Sequence, residues 1–118
     1  MNLRATGILS TFLFSFAPAY ADPTSNVSIT VANNDTQDLM VAVADQNQSG
    51  AIVFKGRINQ GQSTNTLSIT ADGSGNGSVN WQVVTTSSPP ASVCGSASGL
   101  NSGSQVNVAS WGSGASPC

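Results

Sequence analysis

The sequence predicts an all-β protein: a small antiparallel β-sandwich of about six to seven strands carrying one disulfide. Three observations point there. Apolar and polar residues alternate with a period of two in several short runs, the pattern of strands with one buried face. Clusters of Asn, Asp, Gly and Ser separate those runs, and these residues make turns. Strong helix formers are scarce, because the chain lacks Glu and is dominated by Ser, Thr, Asn, Gly, Val and Ile.

The first 21 residues read as an export signal. Met1 to Arg4 gives a short positive start, Gly7 to Ala17 an apolar stretch, and Ala19-Tyr20-Ala21 a cleavage site. The apolar stretch is too short to cross a membrane, which takes about 20 residues. The expected mature protein is a single domain, 22–118, secreted or periplasmic, with no membrane span after signal removal.

Each strand then has its own justification. Val27, Ile29 and Val31 alternate with Ser28 and Thr30. Leu39, Val41 and Val43 form a second run. In a third, Ile52, Phe54 and Ile58 are expected on one face, with Val53, Lys55 and Arg57 on the other. Leu67 and Ile69 follow, then Val79, Trp81 and Val83, and last Val106 and Val108. Turn chemistry lies between them at 33–35, 47–50, 59–61 and 72–77. Residues Ser87 to Ser104 read as a loop, with at most a short strand near Val93. Ser28-Ile29-Thr30 repeats as Ser68-Ile69-Thr70, and Leu39, Val41 and Val43 fall in the same frame on Val79, Trp81 and Val83. Strand alternation alone accounts for most of that match.

Export also decides the cysteines. Cys94 and Cys118 are the only two, and an oxidising compartment favours pairing them. Closing the loop from 94 to 118 adds roughly 3.5 kcal/mol. Small domains have only about 5–15 kcal/mol of net stability, so the bond matters. A redox role lacks both the CxxC spacing and a neighbouring base.

Composition excludes whole classes of function. The chain has 3 Lys and Arg against 5 acidic residues, a net charge of −2, so it cannot hold a phosphate backbone by counterion release. With no His there is no ordinary catalytic triad or zincin site, and with no Glu acid–base chemistry falls to five scattered Asp residues. No enzyme activity, cofactor or metal is expected. Asp72-Gly73-Ser74-Gly75-Asn76-Gly77 resembles half of a calcium loop, but Val83 stands where the closing Glu belongs. A glycine-rich turn is the better reading.

Three side chains remain as candidate ligand contacts: Trp111, Lys55 and Arg57. Trp81 is in phase with Val79 and Val83 and belongs to the core. Trp111 is out of phase with Val106 and Val108, in a Ser/Gly segment. It either offers a stacking platform or covers the disulfide end of the sandwich, and the sequence favours the cover. Lys55 and Arg57 suit an anionic ligand, but guarding a strand edge is the commoner use of such charges. Four Asn-x-Ser/Thr triplets begin at Asn26, Asn34, Asn47 and Asn76. In a chain this rich in Asn, Ser and Thr they arise by chance, and none is read as modified.

Val31-Ala32-Asn33-Asn34, Gly56 to Ser63 and Gly75 to Trp81 together resemble the opening strands of thaumatin-like β-sandwiches. That family is much longer and rich in disulfides, and its acidic cleft comes from parts of the chain absent here. The resemblance therefore implies a β-sandwich and assigns no residue role. In overall make-up the chain is similar to small exported bacterial proteins. The expected function is binding or a structural role at the surface, to a protein or glycan partner. The alternatives are a carbohydrate-binding or adhesion module, or a secreted hydrolase inhibitor that inserts the Ser87 to Ser104 loop.

Overall fold

A computed structural model describes residues 25–112 and 114–118. The export signal expected over residues 1–21 lies outside the described residues. Alternation in sequence becomes alternation in burial, and the chain forms eight strands among the described residues. These are β1 Asn26–Asn33, β2 Leu39–Asp45, β3 Ala51–Ile58, β4 Leu67–Thr70, β5 Gly77–Thr85, β6 Ser92–Leu100, β7 Ser104–Val108 and β8 Ala115–Pro117. One sheet has the order β4-β1-β7, the other β3-β2-β5-β6-β8. Val27, Ile29 and Val31 of the first sheet share one core with Leu39, Val41, Val43, Val79, Trp81 and Val83 of the second. The all-β fold with its disulfide is as expected. Among the described residues no helix is long and apolar enough to cross a membrane.

Three details depart from the sequence reading. The segment expected to be a loop, Ser87 to Ser104, contains the nine-residue strand β6, paired with β5 from Val84↔Ser92 to Gly77↔Leu100. Its small residues carry no clear alternation, and pairing with a strong neighbour makes it a strand. In β3 the register against β2 shifts at Val43/Ala44, leaving Val53 as an extra residue. A bulge of this kind reverses the faces beyond it. Ile52 consequently points outward with Lys55 and Arg57, opposite Ala44, and is 59% exposed. Finally, β7 pairs with β1 in parallel, so the smaller sheet is mixed.

The internal repeat acquires a structural meaning. β1 and β4 pair antiparallel with Ser28 opposite Ser68, and β2 and β5 pair antiparallel with Ala42 opposite Gln82. Both partners are separated by 40 residues. Each pair is therefore locally twofold, and in both the strands are related by the same 40-residue offset. Alternation alone explains matching burial, but it does not set two separate registers to the same offset. The flanking strands follow suit: Gly56 of β3 faces Val41, and Gly95 of β6 faces Trp81. β7 and β8 have no counterpart.

The edges are managed differently. Asp45 accepts the Thr70 N–H at 2.8 Å and Asn47 donates to the Thr70 carbonyl at 2.9 Å, which caps the free side of β4. β3, at the other sheet's edge, carries Lys55 and Arg57. Cys94–Cys118, with Cα atoms 5.0 Å apart, fastens the end of β8 to β6.

Candidate functional site

Trp111 lies in the connection from β7 to β8. It does not cover the sandwich end: it is 61% exposed, which corrects the covering role expected from sequence. The segment around it is nonetheless held firmly. Gly112 adopts φ +99, a left-handed conformation that favours glycine, and its carbonyl accepts the Ala115 N–H at 3.3 Å. On the other flank, one oxygen of Asp35 accepts both the Ser110 N–H at 2.8 Å and the Ser110 hydroxyl at 2.6 Å.

Asp35 is itself placed by the turn after β1. Its second oxygen accepts the Thr36 N–H at 2.6 Å, and its own N–H donates to the Asn33 side chain at 2.8 Å. Asn33 in turn donates to the carbonyls of Gln37 and Ile58. Burial pushes the Asp35 carboxyl upward. The two Ser110 hydrogen bonds, the Thr36 N–H and the Trp111 side chain outweigh it, so Asp35 stays below the usual carboxylate range. A buried carboxylate thus fixes the segment bearing Trp111 to a loop 75 residues away in sequence.

Between this segment and the core is a recess of about 200 Å³, lined by Asn34, Trp81, Asn107, Ala109, Trp111 and Ala115. Trp81 is buried, as expected, and extends over Gly95, where a Cβ would overlap its ring. Among the described residues the Asn34 side chain has no hydrogen-bond partner, while its N–H donates to the Val108 carbonyl at 2.9 Å. The Asn107 oxygen accepts from Gln105 at 2.8 Å, which leaves its NH₂ available. No charged side chain lines the recess.

The other sequence candidates lie elsewhere. Lys55 and Arg57 share the outer face of β3, at the opposite edge of the larger sheet from β8. Arg57 pairs with Asp38 at 2.6 Å and with Asn59 at 3.1 Å. The structure does not bring these cations to Trp111. A larger depression of about 430 Å³ crosses the outer face of that sheet, past Ala42, Ala44, Ile52, Asn80 and Gln82. Its amides keep capacity on one side each, the Asn80 NH₂ and the Gln82 oxygen, but its one aromatic residue, Trp81, is buried, so it offers no exposed stacking face.

The carboxylates serve the backbone. Asp72 accepts the N–H groups of Ser74 and Asn76 at 2.8 and 3.0 Å, which makes its glycine loop a self-bracketed turn. The Gln60 N–H, then Arg57, holds Asp38 below the usual range. Among the described residues no three His, Cys, Asp or Glu side chains are grouped to hold a metal.

The sequence reading missed Asp35, Asn34 and Asn107. Turn chemistry at Asn33-Asn34-Asp35 was visible, but nothing local connects it to Ser110. No family model matches the chain, and no curated protein or solved structure matches it either.

Proposed function

We propose that the protein is a small exported β-sandwich that acts by binding, with no chemistry of its own, through the end that carries Trp111. The observation that carries this reading is an exposed indole on a firmly anchored segment. Tryptophan is a residue of contact surfaces, offering a large rigid area for little lost entropy. A segment needed only to close the sandwich would turn the ring inward. The apolar leader and the disulfide support export to an oxidising compartment.

The alternatives fare unequally. An inhibitor inserting Ser87 to Ser104 loses most of its loop, because β6 is an inner strand between β5 and β8. Catalysis gains nothing, since Asp35, Asp38, Asp45 and Asp72 each accept backbone N–H groups that order a turn or an edge.

The test compares wild type with Trp111→Ala in capture from the producer's own secretome and envelope. The variant should melt within about 3 °C of wild type and lose the captured partner. An unchanged capture profile would move the contact surface away from Trp111. Mass spectrometry of the exported product should show a chain starting at Asp22, and retention of Met1 would refute the export signal.

A further inference from the structure

Resting on that reading, we propose that the ligand is a neutral polysaccharide. One uncharged sugar ring seats against the Trp111 indole, and its hydroxyls exchange hydrogen bonds with Asn34 and Asn107.

Charge narrows the ligand first. No charged side chain lines the recess, and the Asp35 carboxylate already accepts from Ser110, Thr36 and the Trp111 side chain. Lys55 and Arg57 are at the far edge of the larger sheet. An ionic ligand finds no partner here.

Polarity narrows it further. The Asn34 amide and the Asn107 NH₂ retain unused hydrogen-bonding capacity. A wholly apolar ligand would strip water from both and return nothing. A sugar ring presents an apolar C–H face to an aromatic plane and hydroxyls around its rim. That combination matches an indole bordered by two amides. β7 and β8 are sheet edges flanking Trp111, but a peptide added to either would also need apolar pockets for its alternate side chains. The recess provides amide walls and a single exposed ring instead.

Size sets the mode of use. About 200 Å³ is smaller than the roughly 300–1,000 Å³ of ordinary ligand pockets, so the site takes one ring and leaves the chain on either side in solvent. Single-site affinity is then weak. Useful retention comes from the many equivalent rings of a polymer, which keep the local concentration high. Anchoring by Asp35 and Gly112 adds to this by fixing the platform before the sugar arrives.

Affinity electrophoresis of the disulfide-intact protein tests the proposal, with three neutral polymers (a β-glucan, an N-acetylglucosamine polymer, an α-mannan) and one polyuronate. At least one neutral polymer should retard the protein, and retardation should not change between about 0.05 and 0.5 M salt, because no ion pair is involved. Trp111→Ala should weaken it about tenfold, Trp111→Phe less, and Asn34→Ala or Asn107→Ala severalfold each. Retardation by the polyuronate alone, lost at high salt, would overturn the proposal. So would neutral binding that survives Trp111→Ala, or no retardation by any neutral polymer. If Trp111-dependent capture from the secretome persists while every neutral polymer fails, only the sugar assignment falls. If both fail, the binding reading falls with it.

Discussion

Val41 and Trp81 occupy equivalent places in the 40-residue repeat, and each faces a glycine on the next strand. Their surroundings differ. Opposite Val41, a Cβ on Gly56 would meet only the Phe54 ring at 3.5 Å, and β3 ends the sheet there. Opposite Trp81, the indole lies over Gly95, β8 is added beyond β6, and the disulfide secures it. The turns diverge in the same way. Asp72 spends its carboxylate within its own turn, whereas Asp35 reaches across to Ser110. The repeated strands build the core, and the recess arises where the repeat is broken. β7, Trp111 and β8 all belong to the unrepeated part.

The largest effect should separate the paired core residues. Trp81→Ala should cost about 3–5 kcal/mol, enough to unfold much of a domain this small, while Val41→Ala should cost about 2 kcal/mol. Urea denaturation of both variants measures the difference. Equal losses would mean that the indole adds nothing to its half beyond what a valine gives the other.

Replacing both Cys94 and Cys118 by Ser should lower stability by about 3.5 kcal/mol. Loss should appear first at β8, because the bond holds a three-residue strand at the chain's end. Hydrogen exchange should then show the amides of Ala115 and Ser116 exchanging faster than in wild type, with those of β5 little changed. A loss under about 0.5 kcal/mol would show that packing alone holds the tail.

The facing glycines offer a sharper comparison. Gly95→Ala drives a methyl group into the Trp81 ring and toward the Gly114 carbonyl, and should cost about 1–3 kcal/mol. Gly56→Ala meets ordinary contact distances and should be neutral, or stabilising by about 0.5 kcal/mol. Similar effects at both positions would show that the indole is mobile enough to yield.

These pairs show what the sequence could reveal. Strands β1, β2, β5 and β7 were legible because inward Val, Ile, Leu and Trp alternate with polar residues, a pattern that survives without knowledge of neighbours. β6 was not legible. Val93-Cys94-Gly95-Ser96-Ala97-Ser98 has little to bury, and Gly95 becomes a good strand residue only because Trp81 fills the space above it. The bulge at Val53 was equally hidden, since one extra residue leaves composition intact and reverses Ile52. For the site, Trp111 could be singled out because it breaks the alternation. Its surroundings could not, since Asn34, Asp35 and Asn107 meet it only through the parallel pairing of β1 with β7.

Asp35 links the first turn to the unrepeated part, and acid should weaken that link. Its folded pKa is lowered from an unfolded value of about 3.9, so the native state binds fewer protons. The resulting stability is fully present above the unfolded value and is lost as pH falls through the lowered folded one. Asp38 and Asp72 are shifted the same way and add to the acid limb. Asp35→Asn should cost about 2 kcal/mol at pH 7 and make the acid limb shallower. An unchanged acid limb would mean that the Ser110 hydrogen bonds do not depend on the charge.

Among the residues of the recess and its anchors, the smallest stability effect should come from Trp111, and its smallness is informative. Trp111→Ala removes a side chain that is 61% exposed, from a segment held by Asp35 on one flank and Gly112 on the other. The ring adds one side-chain hydrogen bond to Asp35, which Ser110 and Thr36 continue to hold without it, so the loss should be about 0.5 kcal/mol, the low end for one hydrogen bond. Trp81→Ala in the same fold should cost several times more. Acrylamide quenching of Trp81→Phe and Trp111→Phe, each with one remaining tryptophan, reads the contrast directly. Trp111 should quench steeply and Trp81 weakly. If Trp111 were as shielded as Trp81 in solution, its ring would be folded onto the recess, and the unrepeated end would offer no aromatic face to any ligand.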